Sequence, residues 1–214
     1  MTKLFSDIET FLNGHQHGWC SVNKAHCLAA TVLALRPLNC VELGVYAGRS
    51  AISIAMALKE TGQGSLVAVD AWSKEVGIAA QVTPEDSAWW GSLDYEMIFK
   101  IFNDGLDATG TRQWVQTQRC ASADAKLPDS IDLAHIDGGH GPDAVDDIEM
   151  IAPRMRGGGI IFVDDISWSG SHVARGVERL IDFGFIKLYN LDTGAVFQRE
   201  AATNPYDNID FELA

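Results

Sequence analysis

The sequence predicts an α/β fold, a doubly wound and mostly parallel sheet of seven strands that ends in an antiparallel hairpin. Short β-rich apolar runs alternate with helical patterns along the chain, and each run gives way to a glycine or acidic turn. The last two runs are joined by only three residues, "LDT", too few to cross back over the sheet.

The elements follow in order. Residues 1–36 read as a helical segment. "NCVEL" (39–43) is the first strand; "GVYAGRS" turns out of it into "AISIAMAL", where Ile52, Met56 and the alanines make a helical face. "SLVAVDAW" (65–72) is the second strand and ends on Asp70. Residues 73–93 show no regular pattern and are too long for an ordinary connection, so a lid or substrate wall is expected there. In it Trp89 and Trp90 either touch a ligand or cover core or a dimer surface. "RQWVQTQRC" (112–120) is a third, weaker strand, diluted by its glutamines. "IDLAHID" (131–137) is the fourth, followed by a helix in "DAVDDIEMIAPRM", and "GGIIFVDDI" (158–166) is the fifth. "VARGVERLIDFG" sets Val173, Val177, Leu180 and Ile181 at helical spacing with Gly184 as the stop. "FIKLYN" and "GAVFQR" close the chain as a hairpin. There is no internal repeat, and one domain spans residues 1–214.

With 214 residues, 47% of them apolar, the chain can bury one full core. Its net charge of −13 argues against nucleic acid or an anionic membrane as partner and favours a cation or a neutral small molecule. Cys20, Cys27, Cys40 and Cys120 form no CxxC pair and read as reduced thiols. The N-terminal "MTKLFSDIETFLNG" mixes charges into its apolar residues, unlike a signal peptide or a membrane span. A cytoplasmic protein is expected, and a homo-oligomer is compatible with it.

Two sites carry chemistry. In "VELGVYAGRSA", Gly44 and Gly48 permit a sharp strand-to-helix turn and close approach of a ligand, while Glu42 and Asp70 supply carboxylates on either side. The spacing is neither GxGxxG nor that of a phosphate loop, so a nucleoside without phosphates fits better. The second site is "HIDGGHGPD" (135–143) together with Asp164 and Asp165. If the fourth and fifth strands are neighbours, their ends lie about 4.8 Å apart and three aspartates meet at one rim. An all-oxygen set of that kind suits Mg2+, Mn2+ or Ca2+; the alternative is that the aspartates cap helices. His140 is the one well-placed neutral-pH base. His135 reads as a packed or surface residue, and His15 and His17 as a solvated pair.

The combination "VELGVYAGRSA", "VAVDAW", "CASAD", "HIDGGH" and "GGIIFVDDI" resembles the class I S-adenosylmethionine-dependent O-methyltransferases, in particular the metal-dependent branch acting on catechols, macrolides and sugars. The resemblance implies a Rossmann-like fold, S-adenosylmethionine and Mg2+ or another divalent cation as cofactors, and a small hydroxylated substrate. It implies that Glu42, Gly44, Tyr46, Gly48 and Ser50 line the methionine part of the cofactor. Asp70 would hold the ribose, Ala71 and Ser122 the adenine, and Asp137 would serve both cofactor and metal. Asp137, Asp164 and Asp165 fall on the metal-ligand positions and His140 on the general base. Catechol enzymes carry asparagine at the position of Asp165 and lysine at that of His140. Two other readings are a metal-independent methyltransferase of the same fold and a non-catalytic nucleoside-binding module.

Overall fold

A computed structural model describes residues 2–168 and 170–201. The elements run α1 (Thr2–Gly14), α2 (Val22–Leu35), β1 (Asn39–Leu43), α3 (Arg49–Thr61), β2 (Ser65–Asp70), α4 (Lys74–Ala79), α5 (Pro84–Trp90), α6 (Tyr95–Thr109) and β3 (Val115–Arg119). They continue with β4 (Ile131–Ile136), α7 (Asp143–Ile151), β5 (Met155–Val163), α8 (Val173–Asp182), β6 (Phe185–Leu191) and β7 (Gly194–Arg199). The sheet order is β3-β2-β1-β4-β5-β7-β6. The five strands β1 to β5 pair in parallel, while β7 pairs antiparallel with both β5 and β6. This is the expected α/β, Rossmann-like sheet with its terminal hairpin.

The order reverses direction beside β1, where β2 and β4 flank it on opposite sides. In an open sheet of this kind the crevice for a ligand opens at the C-terminal ends of those strands. Strand side chains alternate between faces. Cys40, Leu66, Ala68, Leu133 and Phe162 therefore join one core with α1, α2, α3 and α6. Val41, Leu43, Val67, Ala134, Ile136 and Ile161 join the other, with α7 and α8. By the same alternation Glu42 on β1 and His135 on β4, paired in register, share the first face. The ladder continues past the strands: Asp137 donates its N–H to Leu43 and Asp164 donates its N–H to Ile136, each at 2.9 Å. Asp137 and Asp164 thus stay on the face that α2 covers, and Asp165 falls off it.

Three regions differ from the sequence-based expectation. The N-terminal segment is two helices, with α2 starting at Ser21, whose hydroxyl accepts from the Lys24 N–H. Residues 73–93 are not irregular but hold α4 and α5, capped by Ser73 and Thr83. A further helix, α6, is capped by Asp94 and buries Ile98, Phe102 and Leu106 at four-residue spacing, a helical pattern carried by the sequence itself.

Gly44 leaves β1 at φ +83, and a Cβ there would strike the backbone carbonyl of Asp137. Replacing Gly44 with Ala is expected to destabilise the fold by about 2–4 kcal/mol in urea unfolding, since strain and clash coincide. A loss below about 0.5 kcal/mol would contradict this packing.

Candidate active site

The turn after β1 is held by the end of β2. Asp70 Oδ2 accepts from the N–H groups of Val45 (3.0 Å) and Tyr46 (2.8 Å), and Oδ1 from that of Trp72 (2.8 Å). The Trp72 indole returns a hydrogen bond to the Tyr46 carbonyl at 2.8 Å. Tyr46 and Trp72 sit at φ +51 and +40, conformations that cost energy outside glycine and that this clamp maintains. Burial pushes the Asp70 carboxyl up, and the three N–H donors pull against it. Asp70 is thus first a backbone anchor, with Oδ1 retaining acceptor capacity for a ligand hydroxyl. An open cleft lies beside it, lined by Gly44, Tyr46, Asp70, Ala71, Ser122 and Asp137 among others. A second lobe runs along Gly44, Tyr46, Gly48 and Ser50 to Asp137 and His140. Glu42 lines neither lobe: it is fully buried, accepting from the Ser50 hydroxyl at 2.5 Å, with His135 Nδ1 at 3.2 Å.

Beneath the cleft the alternation gathers charge. His135, Asp137 and Asp164 offer ligand atoms within 4.8 Å of one another. Into this group α2 sends Lys24, whose buried ammonium donates to Asp164 Oδ2. Asp164 Oδ1 accepts from the Thr193 hydroxyl (2.9 Å) and the Asp165 N–H (3.0 Å). Burial would push Lys24 down, but Asp164 and Asp137 together hold it above its ordinary value. Burial would likewise raise Asp164; His135 and Lys24 hold it low instead. Asp137 is pushed up to about 7 by burial and the neighbouring Asp164. His135 is buried rather than at the surface; desolvation disfavours its charge, and Glu42 outweighs that and raises it.

Asp165 does not join the group. It turns at φ +51, takes the Thr193 hydroxyl on Oδ1 and meets His140 Nε2 with Oδ2 at 3.2 Å. A carboxylate oxygen only accepts, so Nε2 carries the proton and Nδ1, buried and without a partner, keeps a lone pair. The His140 ring stacks on Trp168 at 4.9 Å. Its loop is fastened to the C-terminal end of α4, since the Ala80 carbonyl accepts from the N–H groups of His140 (2.9 Å) and Gly141 (3.1 Å). Gly139 permits this approach, because a Cβ there would crowd Ala80 and Asp143.

Helix α5 brings Trp89 and Trp90 to Trp19, with ring centroids 5.7 and 6.2 Å away, and Trp90 meets the edge of Tyr46 at 5.8 Å. These tryptophans wall a cavity of about 550 Å³ that is also lined by Lys24, Asp137, His140, Asp164 and Asp165. Sequence reasoning named both lid tryptophans and missed Trp19, Trp168, Lys24 and Thr193. His15 is not solvated: its Nε2 lies 2.7 Å from the Ala47 carbonyl and its ring packs on Phe11. Burial lowers its pKa.

Asp147 on α7 is a further buried carboxyl in the cleft wall. Burial pushes it up to about 6, against the pull of the Ser122 hydroxyl. The folded state therefore binds this proton more tightly than the unfolded chain, and stability falls as pH rises from about 4 through about 6. Asp147→Asn removes the titration, so urea unfolding is expected to show the variant gaining about 1–3 kcal/mol relative to the parent across that window. A constant difference between the two would contradict it.

Among the described residues no helix is long and apolar enough to cross a membrane. A family profile described as "Methyltransferase domain" matches residues 41–166, more than half of the chain. No curated protein matches. Solved structures do: a putative O-methyltransferase from Klebsiella pneumoniae has 16% identity and a TM-score of 0.62, covering 94% of this chain and 89% of its own. An O-methyltransferase from Bacillus cereus, solved in complex with SAH, has 13% identity and a TM-score of 0.61, covering 92% and 90%. The O-methyltransferase TomG of tomaymycin synthesis from Streptomyces achromogenes, solved with SAM, has 14% identity and a TM-score of 0.61, covering 94% and 90%. The profile match extends from β1 across the turn, the lid and the HIDGGH loop to Ile166, so it takes in most of the site just described, and the chain belongs to the methyltransferase domain family.

Proposed function

We propose that this chain transfers the methyl group of S-adenosylmethionine to a hydroxyl of a small molecule. The observation that carries this reading is Asp137, which lines both the cleft lobes and the tryptophan-walled cavity, so that a nucleoside in one and an acceptor in the other would meet above it. The donor set suits the cofactor. Asp70 retains acceptor capacity for a ribose hydroxyl, Ala71 and Ser122 flank the adenine end, and Tyr46, Gly48 and Ser50 lead along the methionine end. That end reaches the N-terminus of α3, whose free N–H groups favour a carboxylate. The Bacillus and Streptomyces structures, solved with SAH and SAM, support the assignment.

S-adenosylmethionine supplies an electrophilic methyl carried on a sulfonium. His140 takes the acceptor's hydroxyl proton at Nδ1, and Asp165 offsets the imidazolium charge through Nε2–H. The oxygen bonds the methyl carbon as the carbon–sulfur bond breaks. The lid tryptophans exclude water and hold the acceptor in line, and alignment supplies most of the rate. The large aromatic wall suits a sugar, polyol or other hydroxylated ring. Four free thiols suit a reducing compartment, the cytoplasm.

The divalent cation expected at Asp137, Asp164 and Asp165 does not suit these donors as they stand. Asp164 already pairs with the Lys24 ammonium through Oδ2, its Oδ1 takes the Asp165 N–H and shares the one Thr193 hydroxyl proton with Asp165, and Asp165 lies outside the group, its Oδ2 meeting His140.

Incubation with S-adenosylmethionine and a panel of sugars, polyols and catechols is expected to release S-adenosylhomocysteine with at least one acceptor. His140→Asn should then lower kcat at least about 100-fold, the scale of a general base, with calorimetric affinity for S-adenosylhomocysteine unchanged. Failure of the parent protein to bind S-adenosylhomocysteine would overturn the reading; binding without turnover on any acceptor would favour a non-catalytic module.

A further inference from the structure

Lys24 is in an unfavourable place on two counts. It lies in the first turn of α2, where the exposed N–H groups of the helix favour anions over cations. Its side chain is only 7% exposed, and an ammonium withdrawn from water is costly unless opposite charge receives it. Both costs are offset by one partner 140 residues away in the chain, Asp164, with Asp137 close by. The helix is anchored for this contact. Its capping Ser21 accepts from the Lys24 N–H at 3.0 Å and donates to Asp192 of the hairpin loop at 2.6 Å, next to the Thr193 that holds the other oxygen of Asp164. An ammonium has three N–H donors, and the acceptor cavity is lined by Lys24 together with Asp137 and His140.

We propose that the Lys24 ammonium is the resident cation of this acidic centre, seated where a divalent ion would otherwise bridge Asp137 and Asp164, and that it faces the acceptor oxygen. It is a positioning residue: it fixes Asp164, balances the carboxylates and offers positive charge beside the hydroxyl that His140 deprotonates. The clause about the acceptor rests on the methyl-transfer reading; the seat of the cation does not.

Mn2+ is the probe, followed by calorimetry and by its paramagnetic resonance signal, with S-adenosylhomocysteine present. The parent protein and Lys24→Arg are expected to hold no stoichiometric Mn2+. Lys24→Met, checked for a cooperative melting transition, should bind Mn2+ at least about tenfold more tightly than the parent, because the carboxylates lose their counter-charge. Asp164→Asn in that background should abolish the gain. One Mn2+ per parent chain, lost on Asp164→Asn and bound no more tightly by Lys24→Met, would overturn the proposal, as would a folded Lys24→Met with no gain. Should Lys24→Met fail to fold, the parent decides: a stoichiometric ion lost on Asp164→Asn overturns the proposal, and none supports it. Binding of S-adenosylhomocysteine is read separately, so failure of the methyl-transfer reading leaves the Mn2+ result intact.

Discussion

A buried ammonium facing the carboxylates at the C-terminal ends of β4 and β5 is the interaction on which this rim of the sheet depends. Strand alternation forces Glu42, His135, Asp137 and Asp164 onto the face that α2 covers, and the parallel ladder brings Asp137 and Asp164 to adjacent strand ends. Such a set is unstable without positive charge among its members. Lys24 supplies it directly, Glu42 raises the proton affinity of His135, and burial with the neighbouring Asp164 raises that of Asp137.

The neighbouring turn obeys a different constraint. Gly44 must run against the Asp137 backbone, and Tyr46 and Trp72 must hold left-handed dihedrals. Asp70 and the Trp72 indole fix that geometry with four hydrogen bonds. Helix α4 is fastened at its C-terminal end, through the Ala80 carbonyl, to the loop that carries His140. The cleft, the loop that carries His140 and the segment that carries Trp89 and Trp90 are therefore joined through backbone hydrogen bonds rather than standing as separate loops.

Much of this was legible in the sequence, because apolar runs ending in glycines or aspartates mark strands and their C-terminal turns, and both the sheet and the hairpin follow from them. The convergence of Asp137 and Asp164 was legible too, since each ends a strand. What sequence could not give is partnership at long range. Nothing near Lys24 says that its ammonium meets Asp164, and nothing near His15 says that it docks on Ala47. Sequence adjacency places Asp165 with Asp164, but the change of face and the turn at its φ separate the two. Nor does sequence show that Glu42, beside the glycine turn, is fully buried and bonded to Ser50 rather than lining the cleft.

The most direct test is a high-resolution crystal structure of the chain with S-adenosylhomocysteine and Mg2+. The account predicts the nucleoside between Asp70 and Ser122, its sulfur directed over Asp137, and the Lys24 ammonium in contact with Asp164. A hydrated metal ion among the aspartates with Lys24 turned away, or a nucleoside bound elsewhere, would contradict it.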